Sequence, residues 1–141
     1  MNISCSGGLF LAKDTKRFLF LLRTKGKTAG TWGFIGGKKE DHDKSPYDTL
    51  TREIKEEVGK TPQIKKFIPL EYYTSVDKNF DYSTYVLVIE KEFIPQLNDE
   101  HTAYAWCSYG NYPQPLHRAV KNILNNKLMK SKLELIIELV H

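Results

Sequence analysis

The stretch from Ser45 to Gly59 constrains this chain more than any other, because it carries both the start and the stop signals of one helix. Ser45 is a good N-cap, Pro46 suits the first helical position, and Asp48 puts an acid in the first turn. Tyr47, Leu50, Ile54 and Val58 recur at helical spacing, and Gly59 stands where a left-handed C-cap is wanted. The spacing predicts a helix over 46–58 whose apolar face packs on a core. Its other face shows Thr49, Arg52, Glu53, Glu56 and Glu57.

Three of those residues are unusual. Positions i, i+3 and i+4 share a helix face, so the carboxylates of Glu53, Glu56 and Glu57 project together. They lie toward the negative end of the helix dipole, where acids are unfavourable, and like charges at i,i+4 repel. A solvated acidic face is the ordinary fate of such a run. The unfavourable end and the glycines upstream favour a use instead, which is to hold a hard divalent cation such as Mg²⁺ or Mn²⁺. Arg52 fits a surface ion pair with Glu56 at i+4, worth little by itself.

Upstream, Trp32-Gly33-Phe34-Ile35 reads as a short strand leading to Gly36-Gly37. The diglycine suits a strand-to-helix turn, and it also lets backbone approach a phosphate or a metal-bound water closely.

With these residues in hand, the chain resembles the Nudix hydrolase family. The signature of that family is Gly, five residues, Glu, seven residues, then Arg-Glu, an apolar residue, any residue, Glu-Glu, any residue, Gly and an apolar residue. Gly37 opens it here, and Arg52-Glu53-Ile54-Lys55-Glu56-Glu57-Val58-Gly59 closes it. Two positions depart from it. Counted forward from Gly37 the first acid is Asp43; counted back from Arg52 the position is Lys44, so the loop from Lys38 to Lys44 reads as one residue long. Asp43 replaces the usual Glu, or the loop uses Glu40 or Asp41. Lys60 stands where an apolar residue is usual.

The resemblance implies an α/β/α sandwich around a mixed sheet, in one domain spanning 1–141. It implies hydrolysis of a nucleoside diphosphate linked to another moiety, with ADP-ribose or a nucleotide sugar first. RNA 5′-end pyrophosphohydrolysis and oxidised-nucleotide cleavage are alternatives, and a nucleotide- or RNA-binding module without catalysis is a different class. It assigns Mg²⁺ or Mn²⁺ to Gly37, Glu53, Glu56 and Glu57, counts those glutamates and Arg52 as catalytic, and makes Arg52 a partner that orients a ligand carboxylate. Glu100, in a polar loop ahead of Trp106, resembles the additional catalytic acid of many members, and a plain solvated loop acid is the competing reading. Arg23 ends an apolar strand and can pair with phosphate oxygens. Gly36, Lys38 and Asp43 join it as expected substrate contacts. His101 lacks a partner at zinc-ligand spacing.

The remaining pattern is mixed. Strands are expected over 4–12, 17–23, 31–35, 64–74 (broken at Pro69), 82–90 and 104–108, the first two forming a hairpin. A helix is expected from Pro113 to Met129, with Leu116 and Leu128 on its apolar side, and Leu133–Val140 also fits helical spacing. Tyr72, Tyr73, Phe80, Tyr82, Tyr85, Tyr104, Trp106, Tyr109 and Tyr112 are mostly expected in core or sheet faces, with one or two free to stack on a base.

The sequence has 141 residues, which suits one domain with a real core. No stretch approaches a membrane span, and no secretory leader is evident. Two cysteines, Cys5 and Cys107, are too few for a disulfide scaffold and read as buried free thiols, so a cytoplasmic location is expected. The net charge of +4 suits polyanions such as nucleotides or RNA, or merely solubility. The oligomeric state stays open, a homodimer among the options.

Overall fold

A computed structural model describes residues 2–140. Its order is β1 (Ile3–Ala12), β2 (Arg17–Arg23), β3 (Trp32–Gly33), β4 (Ile35–Lys38), α1 (Pro46–Val58), β5 (Lys66–Thr74), β6 (Phe80–Ile89), β7 (His101–Ser108), α2 (Arg118–Asn125) and α3 (Lys127–Leu139). The seven strands form one mixed sheet with helices on both faces.

The sheet is organised around β1. One edge of β1 pairs with β6, in parallel, from Ile3 to Ala12. Its other edge is shared: β4 takes Cys5–Gly8, and β2 takes only Leu11 and Ala12. β2 therefore leaves β1 almost at once and continues between β3 and β7. The sheet opens there, and the fork is the origin of the cavity described below.

Alternation along the strands builds a core on each face. Leu9, Leu11, Phe18, Phe20, Val86 and Val88 meet Val120, Leu124, Leu133 and Ile136 from α2 and α3. Phe10, Leu19, Leu21, Leu87 and Ile89 meet Leu50, Ile54 and Val58 from α1. Burying each of those three α1 side chains contributes about 1.5–3 kcal/mol. The helix ends as its sequence dictates. The Ser45 hydroxyl accepts from the Asp48 backbone N–H at 3.2 Å, and Asp48 Oδ2 accepts from the Lys44 N–H at 2.9 Å. Gly59 closes it at φ 74°, ψ −140°, a positive φ outside the left-handed helical basin.

Several expectations need correction. Gly36 and Gly37 lie inside β4, paired with Gly7 and Ser6, rather than in a turn. The expected helix from Pro113 does not form as one piece. Pro113 and Pro115 lie outside it, and the segment is pinned to Trp32, whose N–H donates to the Pro115 carbonyl and whose carbonyl accepts from the His117 N–H. The helix starts at Arg118 and breaks at Asn126, whose side chain caps α3 at the Met129 N–H. Leu116 thus precedes the helix, and Leu128 is exposed. β7 begins three residues earlier than expected, at His101. The strand break at Pro69 is present as a register shift between Pro69 and Glu71. Cys5 and Cys107 are free but only partly buried. Among the described residues, no helix is long and apolar enough to cross a membrane.

Candidate active site

The strand fork encloses a cavity of ≈ 750 Å³, within the range of small-ligand sites. Cys5, Arg23, Gly36, Gly37, Lys38 and His101 line it, as do Tyr73, Phe80 and Tyr82. Of the aromatics named in the sequence, these three reach the cavity. Phe80 and Tyr82 lie 6.3 Å apart, as do Tyr73 and Phe80. Trp106 instead packs on Phe93, and Tyr109 and Tyr112 pack toward α2 and α3.

α1 lies against β4, and this brings the diglycine to the acidic face. A Cβ at Gly37 would fall on the Glu53 carboxylate, and one at Gly36 would overlap the Ser6 carbonyl. At Gly36 glycine is a steric requirement, because the obstacle is backbone; at Gly37 any side chain would displace Glu53. The Gly36 N–H donates to Glu57 Oε2 at 3.3 Å. The three glutamates differ in burial: the Glu57 side chain is 5 % exposed, Glu53 12 % and Glu56 51 %. Glu53 and Glu57 therefore face inward, and Glu56 lies at the solvent rim.

Burial sets the protonation of the inner pair. Desolvation pushes the Glu57 carboxyl up to about 9, and the neighbouring Glu53 and Glu100 add to the rise. Glu53 is pushed up to about 7, by burial first and then by the neighbouring Glu56 carboxyl. Two carboxylates crowded in low dielectric are costly without a cation. Among the described residues, no three His, Cys, Asp or Glu side chains already converge as a preformed metal cage. The donor set nevertheless fits a hard divalent ion: oxygen ligands, buried like charges, and glycine backbone close by.

Arg52 organises the outer side. Its guanidinium donates to Asp43 Oδ2 at 2.8 Å and to the Lys38 carbonyl at 2.9 Å. It also lies 3.4 Å from Glu40 and Glu56 and 3.6 Å from Glu53. Asp43, rather than Lys44, faces Arg52, so the forward count from Gly37 gives the right register. The extra residue of the signature falls after Asp43, between it and Arg52. Contact between Asp43 and a substrate needs correction, however. Its side chain is 3 % exposed and occupied by Arg52, the Thr49 hydroxyl and the Glu40 N–H, away from the cavity. Those bonds, Arg52 foremost, hold its carboxyl far below the usual range.

Glu100 and Asp99 part ways. Glu100 Oε1 lies 3.9 Å from Arg23 Nη2, and its charge reaches Glu53 and Glu57. Asp99 points outward to Lys25 at 2.7 Å. Sequence reasoning missed His101 as a site residue. It is buried, with Nε2 3.9 Å from Glu57 Oε1. Its inward-facing place in β7, with the small Ala103 and Ala105 following at alternate positions, is the signal that could have found it.

A mixed sheet between helices, with a glutamate helix laid on a diglycine strand, defines a recognisable class of fold. The model of the NUDIX domain matches residues 6–126, and the chain belongs to the Nudix family as a Nudix pyrophosphohydrolase. A MutT NUDIX hydrolase from Burkholderia pseudomallei is similar at 23 % identity and a TM-score of 0.69, over 90 % of this chain and 98 % of that one. The NUDIX domain of Shewanella oneidensis NrtR, in complex with ADP ribose, is similar at 13 % identity and a TM-score of 0.72, over 94 % and 89 %. A C. elegans Ap4A hydrolase is similar at 20 % identity and a TM-score of 0.64, over 94 % of each chain. A comparison with curated protein sequences finds no match.

Proposed function

We propose that this chain hydrolyses a nucleoside diphosphate linked to another moiety, of the ADP-ribose or nucleotide-sugar type, with Mg²⁺ or Mn²⁺ held by Glu53, Glu56 and Glu57 beside Gly37. The observation that carries the reading is the buried pair Glu53–Glu57 packed behind the diglycine of β4, whose Gly36 and Gly37 line a cavity together with Arg23 and Lys38. When bound, the cation supplies charge neutralisation at the phosphate oxygens and acidifies the attacking water. Arg23 and Lys38 hold phosphate oxygens, and Gly36 and Gly37, in the same cavity wall, leave room for Glu53 and Glu57 to pack directly behind it. Tyr73, Phe80 and Tyr82 offer faces for a base. Glu100 takes the proton of the water as it attacks phosphorus and the anhydride P–O bond breaks. Arg52, itself held by Asp43, keeps Glu53 and Glu56 in place.

A cavity of ≈ 750 Å³ suits one small nucleotide. The ADP ribose bound to the NrtR NUDIX domain is in line with the first choice. The net charge of +4 supports the second reading, removal of pyrophosphate from an RNA 5′ end. Product analysis on ADP-ribose, a nucleotide sugar, a dinucleoside polyphosphate, an oxidised nucleoside triphosphate and triphosphorylated RNA separates these. The proposal expects metal-dependent cleavage, fastest for ADP-ribose or the nucleotide sugar. Binding without cleavage of any member would make the chain a nucleotide-binding module.

A further inference from the structure

His101 opens β7 and stands opposite Arg23 where the β2–β7 ladder shifts register. Its side chain is 4 % exposed. Its Nδ1 has no hydrogen-bond partner, and neither does the buried Nε of Arg23. Both residues belong to the wall of the same cavity. Buried polar atoms without partners are rare and costly, and a structural histidine would have both nitrogens satisfied. Two such atoms on facing side chains ask for a joint explanation.

Their chemistry is complementary. The Nε–H of arginine can only donate, whereas imidazole Nδ1 accepts when the ring hydrogen is on Nε2. That tautomer turns the Nε2–H toward Glu57 Oε1, 3.9 Å away. Arg23 and His101 do not bond each other in this structure. The polar neighbour that the imidazole does face is Glu57.

We propose that His101 is a positioning residue for Glu57. Its Nε2–H, 3.9 Å from Oε1 in this structure, closes on Glu57 when the carboxylate turns to grip a divalent cation, and holds it in that orientation. This rests on the reading of Glu57 as a metal ligand. Groups behind metal ligands fix ligand orientation, and their loss commonly weakens metal binding by about 10–100-fold.

The test is Mn²⁺ titration of the full chain without substrate, in wild type, His101→Leu, His101→Asn, His101→Gln and Glu57→Gln. Glutamine reaches the Nε2 position with a donor; asparagine reaches only Nδ1; leucine reaches neither as a polar group. His101→Leu and His101→Asn are expected to weaken Mn²⁺ binding by about 10–100-fold, with His101→Gln restoring most of it. Circular dichroism melting in EDTA checks that each variant is folded, and the two loss variants keep the comparison intact if one is not. Wild-type affinity in both His101→Asn and His101→Leu overturns the proposal, as does an equal loss in His101→Gln. A loss in Glu57→Gln beside those outcomes leaves the metal reading standing. Unchanged binding in Glu57→Gln removes that reading, and the role of His101 with it.

Discussion

Arg52 grips Asp43 through two nitrogens, Nη2 to Oδ2 at 2.8 Å and Nε to Oδ1 at 3.4 Å. Lys44, the other candidate for that position, donates its backbone N–H to Asp48 instead. Asp43→Ala frees an arginine that also touches Glu53 and Glu56. Turnover is expected to fall by about tenfold or more, while Lys44→Ala changes little. Equal effects, or the reverse order, in side-by-side kcat measurements would remove Asp43 from this role.

Gly37→Ala places a methyl group on the Glu53 carboxylate. Either β4 or the Glu53 side chain must shift. Activity is expected to drop by about 10²-fold, with a circular dichroism spectrum like that of wild type. Near-normal activity would mean that Glu53 works in another position.

Glu100→Gln tests the proton acceptor. Loss of a general base costs about 10²–10⁴-fold in rate, with substrate affinity changed far less. Asp99→Asn is the control, because Asp99 pairs outward with Lys25. A loss under about threefold for Glu100→Gln, or a loss confined to Asp99→Asn, moves the base elsewhere, with Glu53 first in line.

The raised carboxyls predict a pH dependence in the metal-free protein. Glu53 and Glu57 are pushed up to about 7 and about 9 from an ordinary 4.5. Over that window the folded state holds more protons than the unfolded state, so stability falls as pH rises. The contribution is fully present below the ordinary glutamate range and is lost as pH passes through those raised values. Melting temperatures in EDTA should therefore decline from acid toward alkaline pH in wild type and less steeply in Glu57→Gln. Parallel curves would show that Glu57 does not carry the shift.

Local signals made the first half of the chain legible. Ser45, Pro46 and Gly59 bracket α1 because caps and a proline act within a turn of the helix. The apolar Phe18–Leu22 run and the proline at 69 marked β2 and the irregularity in β5 for the same local reason. What stayed hidden was tertiary. The diglycine reads as a turn until β4 is seen paired to β1. The Pro113–His117 segment has helical spacing but is bonded to the Trp32 backbone instead. His101 has no motif of its own, and its place beside Glu57 comes from β7 meeting β2 and α1 in space.

The central claim is that Glu57 and Glu53 hold a divalent cation needed to cleave a nucleotide diphosphate linkage. The most direct measurement is Mg²⁺ titration of ADP-ribose hydrolysis, followed as AMP release, in wild type and Glu57→Gln. The account predicts saturable Mg²⁺-dependent release in wild type, none in EDTA, and a loss of at least about 10²-fold in the folded Glu57→Gln variant. Full turnover by Glu57→Gln with an unchanged Mg²⁺ dependence would contradict it.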